Sequence, residues 1–294
     1  MKKFFGTGVA LVTPFDENLE IDFKAMKKLL NHTARGGVDY YVVMGTTGES
    51  ATIAQEEKME VLKFIRKNNP KNLPVVFGVG GNDTRHVLET IRATDFTGVD
   101  GLLSVSPYYN KPSQEGIFRH FSAIAETSPV PVILYNIPGR TASNITAETT
   151  LRLAAHKNIA AIKEASGSLE QCMRIMLHKP KDFILLSGDD MLSVPLYSIG
   201  AKGVISVLAN ALPAIFARMK KFVWANQFEK AGREQFRLLD INGPMYAEGN
   251  PVGVKQLLAE MGICLNFTRL PMAPASEELQ KKIAGIYNNT IRKG

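Results

Sequence analysis

The chain has 294 residues, 45% of them hydrophobic and 21% charged, with no low-complexity or repetitive tract. That composition can bury a large core and argues against a disordered or fibrous protein. The formal net charge of +7 would suit an anionic partner, but the cations are dispersed in pairs such as Lys27-Lys28, Lys220-Lys221, Lys281-Lys282 and Arg292-Lys293. No stripe interleaves them with aromatics, so solvated helix faces account for the excess and nucleic-acid binding is a minor hypothesis.

Met1-Lys2-Lys3-Phe4-Phe5 has the look of a secretory start, but Gly6 and Gly8 interrupt the apolar run. Pro14-Phe15-Asp16-Glu17 then stands where a small-residue cleavage site belongs. Residues 6–12 (GTGVALV) are therefore read as a first strand. Further apolar, β-branched runs bounded by glycine or proline follow at 38–44, 74–79, 99–105, 130–135, 159–163, 183–187 and 203–207. Their near-continuous hydrophobicity predicts parallel strands covered on both faces. Amphipathic segments lie between them. One sets Met59, Leu62 and Ile65 on an inner face and Glu56, Glu57, Lys63 and Arg66 toward solvent.

Eight strand–helix units predict a (β/α)8 barrel over residues 1–225. A doubly wound sheet is the runner-up, but Gly78-Val79-Gly80-Gly81 lacks the GxGxxG spacing. Residues 226–294 are expected to form a C-terminal helical extension. Helical patterns run near 213–226, 228–240, 251–261 and 276–291, with breaks at Asn242-Gly243-Pro244 and Pro271-Met272-Ala273-Pro274. Cys172 and Cys264 are isolated, which fits a reducing cytoplasm. The five histidines never recur at i, i+4, so no metal site is expected. No apolar stretch reaches the ~18 residues that would span a membrane.

Active sites of such barrels gather at the C-terminal ends of the strands. Strand two ends in Gly45-Thr46-Thr47-Gly48-Glu49, which can aim N–H groups and hydroxyls at a carboxylate or can be an ordinary strand-to-helix turn. Strand four ends in Ser106-Pro107-Tyr108-Tyr109-Asn110-Lys111-Pro112, a stiff loop with two phenols that could equally be an aromatic interface patch. Strand five ends in Tyr135-Asn136-Ile137-Pro138-Gly139-Arg140, offering a phenol for proton transfer and an arginine fork for a carboxylate; the plain alternative is a rim tyrosine and a solvent-facing arginine. Strand seven ends in Ser187-Gly188-Asp189-Asp190, where glycine permits close approach and the acids can cap a helix. Strand six ends on Lys163, followed by Glu164. Burial favours a lysine's neutral amine, a nucleophile able to form a Schiff base. The bland alternative is a lysine that reaches solvent or pairs with Glu164. An amine, phenols, hydroxyls and an arginine on successive strand ends suit imine chemistry on a small keto acid.

At GTTGES (45–50), SPYYNKPSQEG (106–116), YNIPGRT (135–141), IKEASG (162–167), LSGDD (186–190) and GVISV (203–207), the chain resembles the dihydrodipicolinate synthases. These belong to the pyruvate-dependent class I aldolase superfamily, which also contains the N-acetylneuraminate lyases. The likeness runs from the first strand to Arg269-Leu270-Pro271, and Arg140 in its YNxPxRT setting leans toward the synthases. The resemblance implies that Lys163 forms an imine with pyruvate without any cofactor and that the enamine attacks L-aspartate-4-semialdehyde. It implies Tyr135 as proton carrier, Thr46 and Tyr109 as its relay, Thr47 and the main chain at Ile205 as pyruvate ligands, Arg140 as the semialdehyde clamp and Gly188 as the gap beside the imine. Tyr109 would come from a neighbouring subunit, so the resemblance implies a required homodimer; family members are commonly tetramers of two such dimers, but only the dimer follows from the relay. Ser50, Ala51, Asn82 and Tyr108 match a lysine-inhibition site, but Gln55, Lys58 and His86 replace partners common in inhibited relatives, so weak or absent inhibition is expected. The rival readings are a lyase acting on another 2-keto acid and a catalytically silent pyruvate-binding barrel.

Overall fold

The computed structural model describes residues 2–291. The Arg292-Lys293 pair lies outside them. Eight strands, β1 (Gly6–Ala10), β2 (Tyr40–Val43), β3 (Val75–Gly78), β4 (Gly101–Val105), β5 (Val132–Asn136), β6 (Ile159–Glu164), β7 (Ile184–Ser187) and β8 (Gly203–Ser206), close into a barrel in chain order. Each coincides with a predicted run. Nearly every strand residue is buried, as parallel strands with both faces covered require.

The chain forms two compact units, one of Met1–Gly6 with Pro74–Ile205 and the other of Thr7–Leu73 with Ser206–Gly294. In the first, β3 to β8 carry the core through Val76, Leu102, Ile133, Leu134, Ile162, Leu185 and Val204. The register between β5 and β6 has a consequence for chemistry. Val132 pairs with Ile159 but Ile133 pairs with Ala161, so Ala160 is an extra residue. Without it Tyr135 would sit opposite Ile162. With it, Tyr135 sits opposite Lys163, and the two side chains share a face.

Also in this unit, His120 is buried on the helix Gln114–Thr127. Its Nδ1 shares a 2.9 Å hydrogen bond with Thr84 Oγ1, while Nε2 is buried with no protein partner. Burial pushes its pKa down to about 4. Because the folded value is depressed, the unfolded chain binds the proton first as pH falls through 6.5. Stability is therefore complete above that pH and declines between about 6.5 and 4, by about 3 kcal/mol in all. Thermal midpoints measured across this window should fall with acid, and a His120→Asn variant should lose most of that slope.

The second unit contains β1, β2 and the C-terminal helices. In the helix Gln55–Asn68, Leu62 and Ile65 face inward as expected, but Val61 completes the buried face and Met59 is half-exposed. Glu57 is also not simply solvated. Arg269 holds it in a two-pronged bridge at 2.7 and 2.8 Å, which keeps its carboxyl below the usual range.

The C-terminal helices are Pro213–Trp224, Phe228–Phe236, Leu239–Tyr246, Val252–Glu260 and Glu277–Ile286. The break expected at Asn242-Gly243-Pro244 is instead inside the third of these, with Pro244 buried. Packing explains it: a β-carbon on Gly253 would lie 2.5 Å from Met245 Cα and from the Pro244 carbonyl. The helices touch backbone to backbone there, and tertiary contact overrides proline's local preference.

Candidate active site

Every candidate residue stands at or just beyond the C-terminal end of a strand. In the first unit Lys163 is the fifth residue of β6 and only 5% exposed. Its Nζ lies 4.1 Å from the centroid of the buried Tyr135 ring. A cationic nitrogen over that face, such as the nitrogen of a protonated imine, gains about 0.5–2 kcal/mol.

Glu164 does not pair with this lysine. Adjacent strand residues face opposite ways, and the Glu164 carboxylate is taken up by donors on its own side. Asn136 Nδ2 donates to both its oxygens at 3.1 and 3.0 Å, Ser166 N donates at 2.7 Å and Gln171 Nε2 at 2.8 Å. Asn144 completes the cluster through Asn136 and Gln171. These bonds tie β5, β6 and the helix Leu169–His178 together, fixing the strands that carry Tyr135 and Lys163.

Gly188 follows β7 and donates its N–H to the Glu164 carbonyl at 2.7 Å. A β-carbon there would meet Ala165 Cβ at 2.7 Å and Lys163 Cε at 3.1 Å, so glycine keeps the space beside the amine open. Next to it, Asp189 caps the turn Asp190–Leu192 by accepting from Met191 N. Ile205 is fully buried in β8.

Two candidates project outward. Tyr109 is 88% exposed and has a φ of 75°, an uncommon conformation for a bulky residue. Arg140 is exposed on the short helix Pro138–Thr141. Neither is brought against Lys163 within the chain's own hydrogen bonds.

In the second unit, Thr46 and Thr47 begin the turn Thr46–Gly48 after β2; Thr46 is exposed and Thr47 buried. Thr47 Oγ1 accepts a 3.0 Å hydrogen bond from Asn250 Nδ2. Glu49 ends the turn in the left-handed region, φ 57°, and its buried carboxylate meets Lys255 Nζ at 2.5 Å. Sequence reasoning missed Asn250 and Lys255, and gave Glu49 no partner. An Asn-Pro dipeptide reads only as a turn, and nothing local marks a side chain reaching back some two hundred residues.

Cys172 and Cys264 are free and buried. Burial pushes their thiols up to about 12 and about 11, which suits packing rather than nucleophilic work. Among the described residues no helix is long and apolar enough to cross a membrane.

A closed parallel barrel with a buried lysine and tyrosine side by side at neighbouring strand ends defines a class, the (β/α)8-barrel enzymes that work at that rim. The dihydrodipicolinate synthetase family profile matches residues 3–289, and the chain belongs to that family. It is 52% identical to a 4-hydroxy-tetrahydrodipicolinate synthase of Cytophaga hutchinsonii, over all of this chain and 99% of that one. Among solved structures it is similar to the chloride-inhibited dihydrodipicolinate synthase of Acinetobacter baumannii complexed with pyruvate. That likeness has a TM-score of 0.93 and 35% identity, covering 97% of this chain and 98% of the other. A dihydrodipicolinate synthase variant described as monomeric matches at TM-score 0.95 and 34% identity, covering 98% and 97%.

Proposed function

We propose that this chain is a 4-hydroxy-tetrahydrodipicolinate synthase that condenses pyruvate with L-aspartate-4-semialdehyde through an imine on Lys163, with no other cofactor. The reading rests above all on the Lys163 amine, buried at the end of β6 over the Tyr135 ring. The amine attacks the keto carbon, water leaves, and the protonated imine draws electrons from the methyl group as it loses a proton. The resulting enamine attacks the aldehyde carbon. The amino group of the adduct then displaces Lys163 and closes the ring.

Tyr135 carries protons to and from these intermediates. A buried phenol exchanges protons with bulk water faster through a relay. Thr46 and Tyr109 fill that role, Thr47 and the main chain at Ile205 bind pyruvate, Arg140 grips the semialdehyde carboxylate, and Gly188 leaves room for the imine. Incubation with pyruvate and borohydride should fix a reduced adduct on the peptide containing Lys163, located by mass spectrometry. No adduct, or an adduct on another lysine, would overturn the assignment. Turnover of N-acetylneuraminate or 2-keto-3-deoxy acids in preference to aspartate semialdehyde would move the chain to a sibling activity.

The exposure of Tyr109 supports a homodimer in which each subunit lends this phenol to its neighbour. The exposed Leu169, Met173 and Leu177 recur at every fourth residue of one helix, an apolar stripe that supports a tetramer of such dimers. On this reading the enzyme works in the cytoplasm, with no nucleic-acid or membrane partner.

Inhibition by lysine is expected to be weak or absent. Lys58 is half-buried on the helix Gln55–Asn68, and burial pulls its pKa down. Charged or neutral, it supplies no carboxylate for a ligand's ammonium, nor does Gln55. A titration should leave most activity intact at millimolar lysine.

A further inference from the structure

We propose that Asn250 is a positioning residue for Thr47 that sets which way the threonine hydroxyl points. The inference rests on the reading of Thr47 as a ligand of the pyruvate carboxylate. Because Thr47 Oγ1 accepts from Asn250 Nδ2, its own proton is free to be donated elsewhere. A carboxylate oxygen is an acceptor that such a proton suits, and the resulting bond is charge-assisted. Asn250 is only 8% exposed, so bulk water does not compete freely for this bond.

The turn that bears Thr47 is held firmly enough for one hydrogen bond to matter. Gly48 N donates to Gly45 O at 3.0 Å and Glu49 N to Thr46 O at 3.1 Å. Thr13 Oγ1 donates to the Gly48 carbonyl at 2.8 Å, and a β-carbon on Gly48 would lie 3.2 Å from Leu11 O, so the first strand's continuation backs the turn closely. Lys255, five residues after Asn250, grips the Glu49 carboxylate. The backbone of this turn is thus fixed, and Asn250 adds control of the hydroxyl rotor. The C-terminal stretch is more than an appendage: it reaches the turn at a hydroxyl and at a carboxylate.

The test measures KM for pyruvate, kcat and the thermal midpoint for Asn250→Leu, Asn250→Asp, Thr47→Ala and the Asn250→Leu/Thr47→Ala double variant. Asn250→Leu removes the donor at similar volume and should raise KM for pyruvate about tenfold, with kcat changed less than about threefold. Asn250→Asp should raise it further, because its carboxylate accepts the threonine proton and reverses the bond. In the Thr47→Ala background, Asn250→Leu should add less than about twofold, since the group it acts through has gone. Asn250→Ala gives the same comparison should the leucine variant fail to fold. An unchanged KM in the Asn250 variants, beside a raised KM in Thr47→Ala, would overturn this inference alone. So would a full Asn250 effect persisting without the hydroxyl. An unchanged KM in Thr47→Ala would overturn the reading of Thr47 itself and this inference with it.

Discussion

Lys163→Ala should fold like the parent and lose condensation of pyruvate with L-aspartate-4-semialdehyde by roughly a thousandfold or more in kcat. The size follows from what the lysine supplies. Without a covalent imine, pyruvate must give up a methyl proton with only its own ketone as electron sink, and the remaining groups bind and orient without lowering that barrier much. Retention of the fold is also expected from the contacts. The buried Glu164 carboxylate next in sequence takes its hydrogen bonds from Asn136, Ser166 and Gln171, so truncating Lys163 orphans none of them. Lys163→Arg separates two possible roles. It keeps a cation against the Tyr135 ring but offers no nucleophilic amine. If the lysine acted only by charge, the arginine variant would retain much of its activity; the imine reading has it as inactive as alanine. Steady-state turnover of either variant at the parent's speed would refute the mechanism.

The strands and their order were legible because parallel strands buried on both faces leave nearly unbroken apolar runs, and the punctuation between them is local. Lys163 and Tyr135 were legible for a related reason. A lysine closing an apolar run, and a tyrosine at the end of the preceding one, break the composition of their own segments. What places them on the same face is the extra residue Ala160 in β6, which no local pattern reveals. The Asn136–Glu164–Gln171 cluster escaped notice because polar residues just past a strand read as loop until their partners are known. The C-terminal third was read least well. Its helices pack so closely at Gly253 that Pro244 is carried inside a helix, and its residues Asn250 and Lys255 address a turn at the opposite end of the chain. Periodicity reports which face of a segment is buried, not what waits there.

That buried link supports the second large prediction, a loss of about 3–5 kcal/mol of stability in Lys255→Met. Lys255 is fully buried, with Nζ 2.5 Å from the Glu49 carboxylate, 2.7 Å from the Phe267 carbonyl and 4.1 Å from the centroid of Phe15. Burial drags its pKa down, and the carboxylate beside it pulls the other way. Methionine fills similar space but leaves Glu49 charged in a dry site, with the Arg269 backbone N–H at 3.0 Å as its remaining hydrogen bond. The cost is chiefly that of an orphaned charge rather than of lost packing. Accordingly, the double variant Lys255→Met/Glu49→Gln should recover most of the denaturant midpoint, because a buried pair replaced by neutral groups of similar size is often no less stable. Equal destabilisation in the single and double variants would show that packing, and not the charge, sets the loss. Recovery of stability need not bring recovery of catalysis. Glu49 closes the turn that presents Thr46 and Thr47, and a glutamine freed of its lysine holds that turn less firmly. The double variant should therefore unfold like the parent while keeping a raised KM for pyruvate, which separates holding the molecule together from aiming its hydroxyls.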